Sequence, residues 1–150
     1  MAIEYGDGTD SKVGRVIRVI HNYWTGSQTI TSTGFTTIGS GLAVTLTPES
    51  SSSKIIIIGN FPSQAYGGAR PRFDIDKDGT AMGDAISGRA SITSFEPSGD
   101  NTPVSFWWLD TPGDTNSHTY TPVMKQSDGG GCYMNATTNI STFTVIEVAG

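Results

Sequence analysis

Asp74, Asp76 and Asp78 precede Gly79 in the spacing D-x-D-x-D-G, which is how a calcium-binding loop begins. Such a loop needs convergent oxygens closed by a bidentate Glu at its twelfth position, and that position here is Ala85. A hairpin turn at Asp78-Gly79, with Asp74 and Asp76 on its solvated face, explains the same residues without a metal. His21 and His118 lie far apart and neither belongs to an H-E-x-x-H spacing, so both read as surface or structural histidines. Cys132 is the single cysteine, which rules out an internal disulfide framework or a Cys-based zinc site and suggests a small packed apolar group. Nothing matches a G-x-S-x-G nucleophile, a P-loop or a dinucleotide fingerprint. Gly39-Ser40-Gly41 and the glycine triplet 129–131 read as turns. The triplets Asn135-Ala136-Thr137 and Asn139-Ile140-Ser141 fit a glycosylation acceptor, a pattern frequent by chance in a Ser/Thr-rich chain.

Among the 14 acids, Glu147 alone sits in an apolar context, beside Val145, Ile146 and Val148. A terminal-strand Glu facing solvent is the simpler account than a raised-pKa acid for glycoside cleavage. The expectation is no enzyme, no cofactor and no metal.

The aromatics say more. Trp107 and Trp108 are adjacent in a β-forming run, so their side chains must leave opposite faces of a sheet. One can enter the core, while the other must meet a covering loop, another subunit or a ligand. Tyr23 and Trp24 pose the same question, and Tyr5 stands in a polar leader segment. Tyr5, Tyr23, Trp24, Trp107 and Trp108 are therefore interface candidates, and Trp24, Tyr66 and Trp107 are the alternative set for stacking on sugar rings.

The elements that must position these rings are strands. Ile, Val and Thr total 42 residues against three Leu, and β-branched side chains fit a pleated surface better than a helix. Alternation marks strands near 13–21, 28–33, 42–47, 72–76, 104–109, 118–125, 132–136 and 141–148. The apolar run from Lys54 to Gly59 reads as a strand buried on both faces, and segments 80–86 and 89–95 as further strands. Eight to ten short strands with frequent turn signals imply an all-β antiparallel sandwich or jelly roll over residues 13–150. Residues 1–12 read as a frayed terminus or an N-terminal arm that orders on a partner.

Composition bounds the partners. Leu, Ile, Val and Phe make up only 31 of 150 residues, and such a thin core often leans on neighbouring subunits. A net charge of -5 and a pI near 4.7 argue against nucleic acid. The longest apolar run, Ile55 to Ile58, is far short of a membrane span, and the first residues lack a secretory signal, so synthesis in the cytosol is expected.

Taken in order, several motifs resemble one family. Gly14-Arg15-Val16-Ile17-Arg18-Val19-Ile20 is followed by Leu42-Ala43-Val44-Thr45-Leu46-Thr47-Pro48, a Ser run and Lys54-Ile55-Ile56-Ile57-Ile58. Arg72-Phe73-Asp74-Ile75, Asp78-Gly79-Thr80-Ala81 and Gly83-Asp84-Ala85 come next, and then Phe106-Trp107-Trp108-Leu109-Asp110-Thr111-Pro112, His118-Thr119-Tyr120 and Thr144-Val145-Ile146-Glu147-Val148. This order, over residues 13–149, resembles the small β-domain virion structural proteins of tailed phages of aquatic bacteria. The resemblance implies a non-enzymatic subunit, assembled in the host cytoplasm and carried on the capsid exterior. Its expected role is that of a homotrimeric capsid cement protein bound to the major capsid protein. The alternative is a tail-fibre or spike module that binds a host receptor or surface glycan, and a glycan-cleaving enzyme is a third reading.

Overall fold

The structure, a computed structural model, describes residues 14–83, 92–93, 102–127, 129–135 and 139–150. The expected arm 1–12 with Tyr5, most of the expected strand 89–95 and the end of the expected strand 80–86 lie outside the described residues.

The chain is all-β, and its paired strands run antiparallel in two sheets. The first sheet contains β1 (Val16–Trp24), β2 (Gln28–Ile30), β5 (Lys54–Tyr66), β9 (Thr102–Asp110), β11 (Gly131–Met134) and β12 (Ser141–Val148). The second contains β3 (Thr36–Thr37), β4 (Val44–Leu46), β6 (Arg70–Lys77), β7 (Thr80–Ala81), β8 (Ile92–Thr93) and β10 (His118–Ser127). Strand β5 is the axis of the first sheet. Its 54–60 half pairs with β12 and its 63–66 half with β11, while β9 runs along residues 55–63 on the other side. Strand β12 is in turn flanked by β1.

Alternation decides what each strand buries. Ile55, Ile57, Phe61 and Ala65 of β5, Val104 and Phe106 of β9, and Phe143 and Val145 of β12 all point into the core. The second sheet answers with Val44, Leu46, Phe73, Ile75, Tyr120 and Met124. Phe61 is the meeting point of the two layers. Its ring stacks on Phe73 of the opposite sheet at 5.7 Å between centroids, and lies 5.5 Å from Phe106 and 6.4 Å from Phe143. A Cβ on Gly59 would come within 2.6 Å of that ring, so the missing side chain makes its room.

Three expectations need correction. The run 54–59 is not buried on both faces: Ile55 and Ile57 are inside, but Ile58 is 42 % exposed and Ile56 half-buried. Glu147 does not face solvent. It occupies an inward position of β12 and is fully buried, its Oε1 accepting hydrogen bonds from the Glu49 backbone N–H at 2.6 Å and the Ser53 hydroxyl at 2.9 Å. Its charge partner is the Arg18 guanidinium, 3.9 Å from Oε2, where a bulge in β1 brings Arg18 opposite Glu147. Asp74 is likewise buried rather than on a wet face, held by the backbone N–H groups of Ile75 and Gly83.

Candidate functional site

The outward positions of the first sheet form a surface whose composition is unlike the rest of the chain. The ladder registers bring Val19 of β1, Ile146 of β12, Ile56 of β5 and Leu109 of β9 into one row across four strands. The next row is His21, Thr144, Ile58 and Trp107, and the third is Tyr23, Thr142, Asn60 and Ser105. The β1 bulge adds to this face, because the extra residue at Ile17 puts Val16 and Val19 on the same side despite their odd spacing. At the far end Tyr66 and Tyr133 stack with centroids 4.9 Å apart.

Eight large apolar side chains stand well exposed among the described residues, and seven project here: Val16, Val19, Tyr23, Ile58, Trp107, Leu109 and Tyr133. Trp107 is the most exposed, at 71 %, and borders a shallow hollow of about 420 Å³ shared with Ile56, Ile58 and Ser105. A scattered surface Leu needs no explanation; a contiguous apolar sheet face does.

Electrostatics set the face apart again. None of its outward strand residues is Asp or Glu, although the chain is acidic. Asp74, Asp76 and Asp78 belong to β6 and its turn, Asp110 and Glu147 point inward, and Glu49 and Asp114 lie in loops.

The tandem indoles separate as alternation requires. Trp107 is on this face, and Trp108 turns inward to pack partly against the core. Tyr23 joins Trp107 outside. Trp24, expected at an interface or on a sugar, instead packs against the core between Gly26 and Gly39, where a Cβ on either glycine would lie 2.7 Å from its ring. Tyr66 reaches the face but is engaged with Tyr133. Val16, Val19, Ile58, Leu109 and Tyr133 are members that sequence reasoning missed. For Val16, Val19 and Ile58 the signal was present in the β-branched residues on both faces of the 16–20 and 55–58 runs.

Cys132 packs as a buried group, and that burial pushes its thiol up to about 11, which leaves it inert near neutral pH. The carboxylates of the D-x-D-x-D-G run serve backbone. Asp76 accepts from the Gly79 N–H and Asp78 from the Thr119 N–H, and Asp78 takes a left-handed φ of 54° at the hairpin corner.

A second cluster of titratable groups centres on His118. Protonated, it donates Nδ1–H to Asp78 at 2.7 Å and Nε2–H to Asp114 at 3.0 Å, tying the β6–β7 hairpin to the 111–117 loop. Next to it, Asp110 Oδ2 accepts from both Lys77 Nζ and the Tyr120 hydroxyl at 2.7 Å. Burial and then the Asp110 hydrogen bond push the Tyr120 phenol upward. Donating to Asp78 raises the His118 pKa, the same bond lowers that of Asp78, and the Asn116 backbone N–H and then His118 lower that of Asp114. A raised His value stabilises the fold below its ordinary value, near 6.5, and that contribution is lost as pH rises through the folded value. The depressed Asp values act above about 4 and are lost as pH falls through the folded values. The clamp should therefore help most between about pH 4 and 6.5. The melting temperature of the native chain is expected to fall from pH 6 to pH 8.5 more steeply than that of His118→Asn. Parallel slopes would show that the clamp carries no pH-linked stability.

Among the described residues no helix is long and apolar enough to cross a membrane, and no group of three or more His, Cys, Asp or Glu could hold a metal ion. Fold and surface together define a two-sheet antiparallel β protein with one apolar, acid-free sheet face. Compared with models of known families and with curated protein sequences, the chain matches none.

Proposed function

We propose that this chain is a non-enzymatic virion subunit of a tailed phage, a capsid cement protein that works by adhesion. The observation that carries the reading is the exposed face of the first sheet, where Trp107, Leu109, Val19 and Tyr23 stand in water on an otherwise acidic protein. Apolar surface of this kind gains free energy only when something covers it. In the proposed role the chain sits as a homotrimer on the capsid exterior, binds the major capsid protein across several capsomers and resists their separation. Several modest contacts made at once hold far longer than any one of them. The acidic balance suits a surface turned away from packaged DNA.

The test is to separate heads from tails and count this chain in each. A cement protein is expected with DNA-filled heads in several hundred copies, on the order of the capsid's symmetry-related sites. A few dozen copies on tails would instead support the tail-fibre or spike reading. That second reading draws on the exposed Trp107 indole beside an apolar hollow, a surface on which a sugar ring could stack. Strong hits on a glycan array, lost in Trp107→Ala, would favour it.

A further inference from the structure

We infer that the outer face of the first sheet seats a second copy of this same chain, with Trp107 of one copy entering the hollow beside Trp107 of its neighbour. The inference rests on reading the chain as an adhesive subunit that works in several copies, and it assigns this face to the contact between copies, with capsid binding left to the assembled subunit.

Charge is one argument. Two copies of a chain with net charge -5 repel each other over most of their surfaces. The outward positions of β1, β12, β5 and β9 carry no carboxylate, and among residues 54–60, 103–109 and 142–148 the only charged one facing out is Lys54. Two such faces can approach without setting acid against acid.

Shape is a second. A contact between identical chains must supply both halves of its own fit. This face has a projecting indole, 71 % exposed, and directly beside it an apolar hollow of about 420 Å³ walled by Ile56, Ile58 and Ser105. A projecting ring and a shallow apolar depression are present on the same surface.

Extent is a third. The exposed portions of Val16, Val19, Tyr23, Ile58, Trp107 and Leu109 amount to roughly 600 Å², and the half-buried Ile56, Ile146 and Val148 extend that toward the ~800 Å² per partner of a standard specific interface. A fully buried Trp near the centre is the type of side chain that dominates such contacts.

Sedimentation velocity and light scattering on the full chain near neutral pH test this directly. Near 50 µM, well above the Kd of a micromolar contact, the native protein should run at a multiple of the 15.8 kDa chain mass. The association should persist or tighten when salt is raised, since burial of apolar surface is not screened. Trp107→Ser should weaken it at least about tenfold, as should Thr144→Lys, which puts a charge in the middle row. Both positions are outward, so the β-sheet circular dichroism of the dilute chain should be kept, with at most a small change in melting where Thr144→Lys gives up the hydrogen bond to His21. A native chain at single-copy mass overturns the inference, as do two variants that associate like the native chain. Head binding is measured beside it. A single-copy chain that still decorates heads defeats self-docking alone, whereas an associating chain absent from heads supports self-docking and defeats the cement reading.

Discussion

Phe61→Ala is expected to cost about 3–5 kcal/mol, the range for removing a fully buried aromatic side chain. Phe61 has no exposed surface, and its ring touches Phe73 across the interlayer space and Phe106 and Phe143 within its own sheet. Gly59 beneath the ring contributes no side chain to fill the hole. With a total stability of about 5–15 kcal/mol, the loss is at least about a fifth of what holds the domain together. With a urea slope of about 1.5–2 kcal/mol/M, the unfolding midpoint should fall by about 2 M. Phe61→Leu, which leaves a smaller void, should cost less than half as much. A loss below about 1 kcal/mol for the alanine variant would show that the sheets do not depend on this ring.

Asn135 carries the second large effect, through hydrogen bonds rather than volume. It is fully buried and its backbone is left-handed, with φ of 50°. Its amide donates to the carbonyls of Trp24 and Gly26, each at 3.0 Å, its Oδ1 accepts from the Ser141 hydroxyl at 2.8 Å, and its backbone N–H donates to the Pro62 carbonyl at 2.9 Å. One side chain thus joins the turn between β1 and β2 to the start of β12. Asn135→Leu keeps the branched skeleton, with bulkier methyl groups, but leaves two carbonyls and a hydroxyl unsatisfied, at about 1–3 kcal/mol each when buried. It also places a branched side chain in a conformation that disfavours it by roughly 1–2 kcal/mol. The expected total is at least about 4 kcal/mol, read as a shift in urea midpoint, and Asn135→Gly should recover only the backbone share. If the glycine and leucine variants both match the native chain, the side-chain bonds contribute nothing to stability.

Most of the architecture was legible because period-2 alternation and β-branched composition are local signals. The segment 141–148 was read to its ends, and the neighbourhoods of β4, β6, β9 and β10 were found with errors at their margins. The continuation of β5 through Asn60 to Tyr66 was not read, since Pro62, Ser63 and Gln64 look like a loop when seen in isolation. What makes them a strand is pairing with Thr102 to Val104 on one side and Gly131 to Met134 on the other, and that pairing is set by residues far away in the chain.

The candidate face was half legible for a related reason. Alternation required Trp107 and Trp108 to part, but not which one would be outside. That depends on the register between β9 and β5, which puts Phe106 opposite Gly59 and Trp107 opposite Ile58. The run Ile55 to Ile58 looked like a strand covered on both sides. In the single chain it is covered on one, so composition alone could not separate a strand buried in a fold from one left apolar for contact. Glu147 and Asn135 were beyond sequence reading, since the hydrogen-bond partners of Glu147 lie 94 or more positions away and the two carbonyls that the Asn135 amide serves lie 109 or more away.

The placement of β12 bears on mechanical load. This last strand is gripped along its length by β1 on one flank and β5 on the other, with both neighbours running opposite to it. A pull on the C-terminal end along the strand axis would stress every rung of both ladders together, a shearing geometry, instead of opening them one at a time like a zipper. A subunit tethered through that end would transmit tension into its central sheet before yielding.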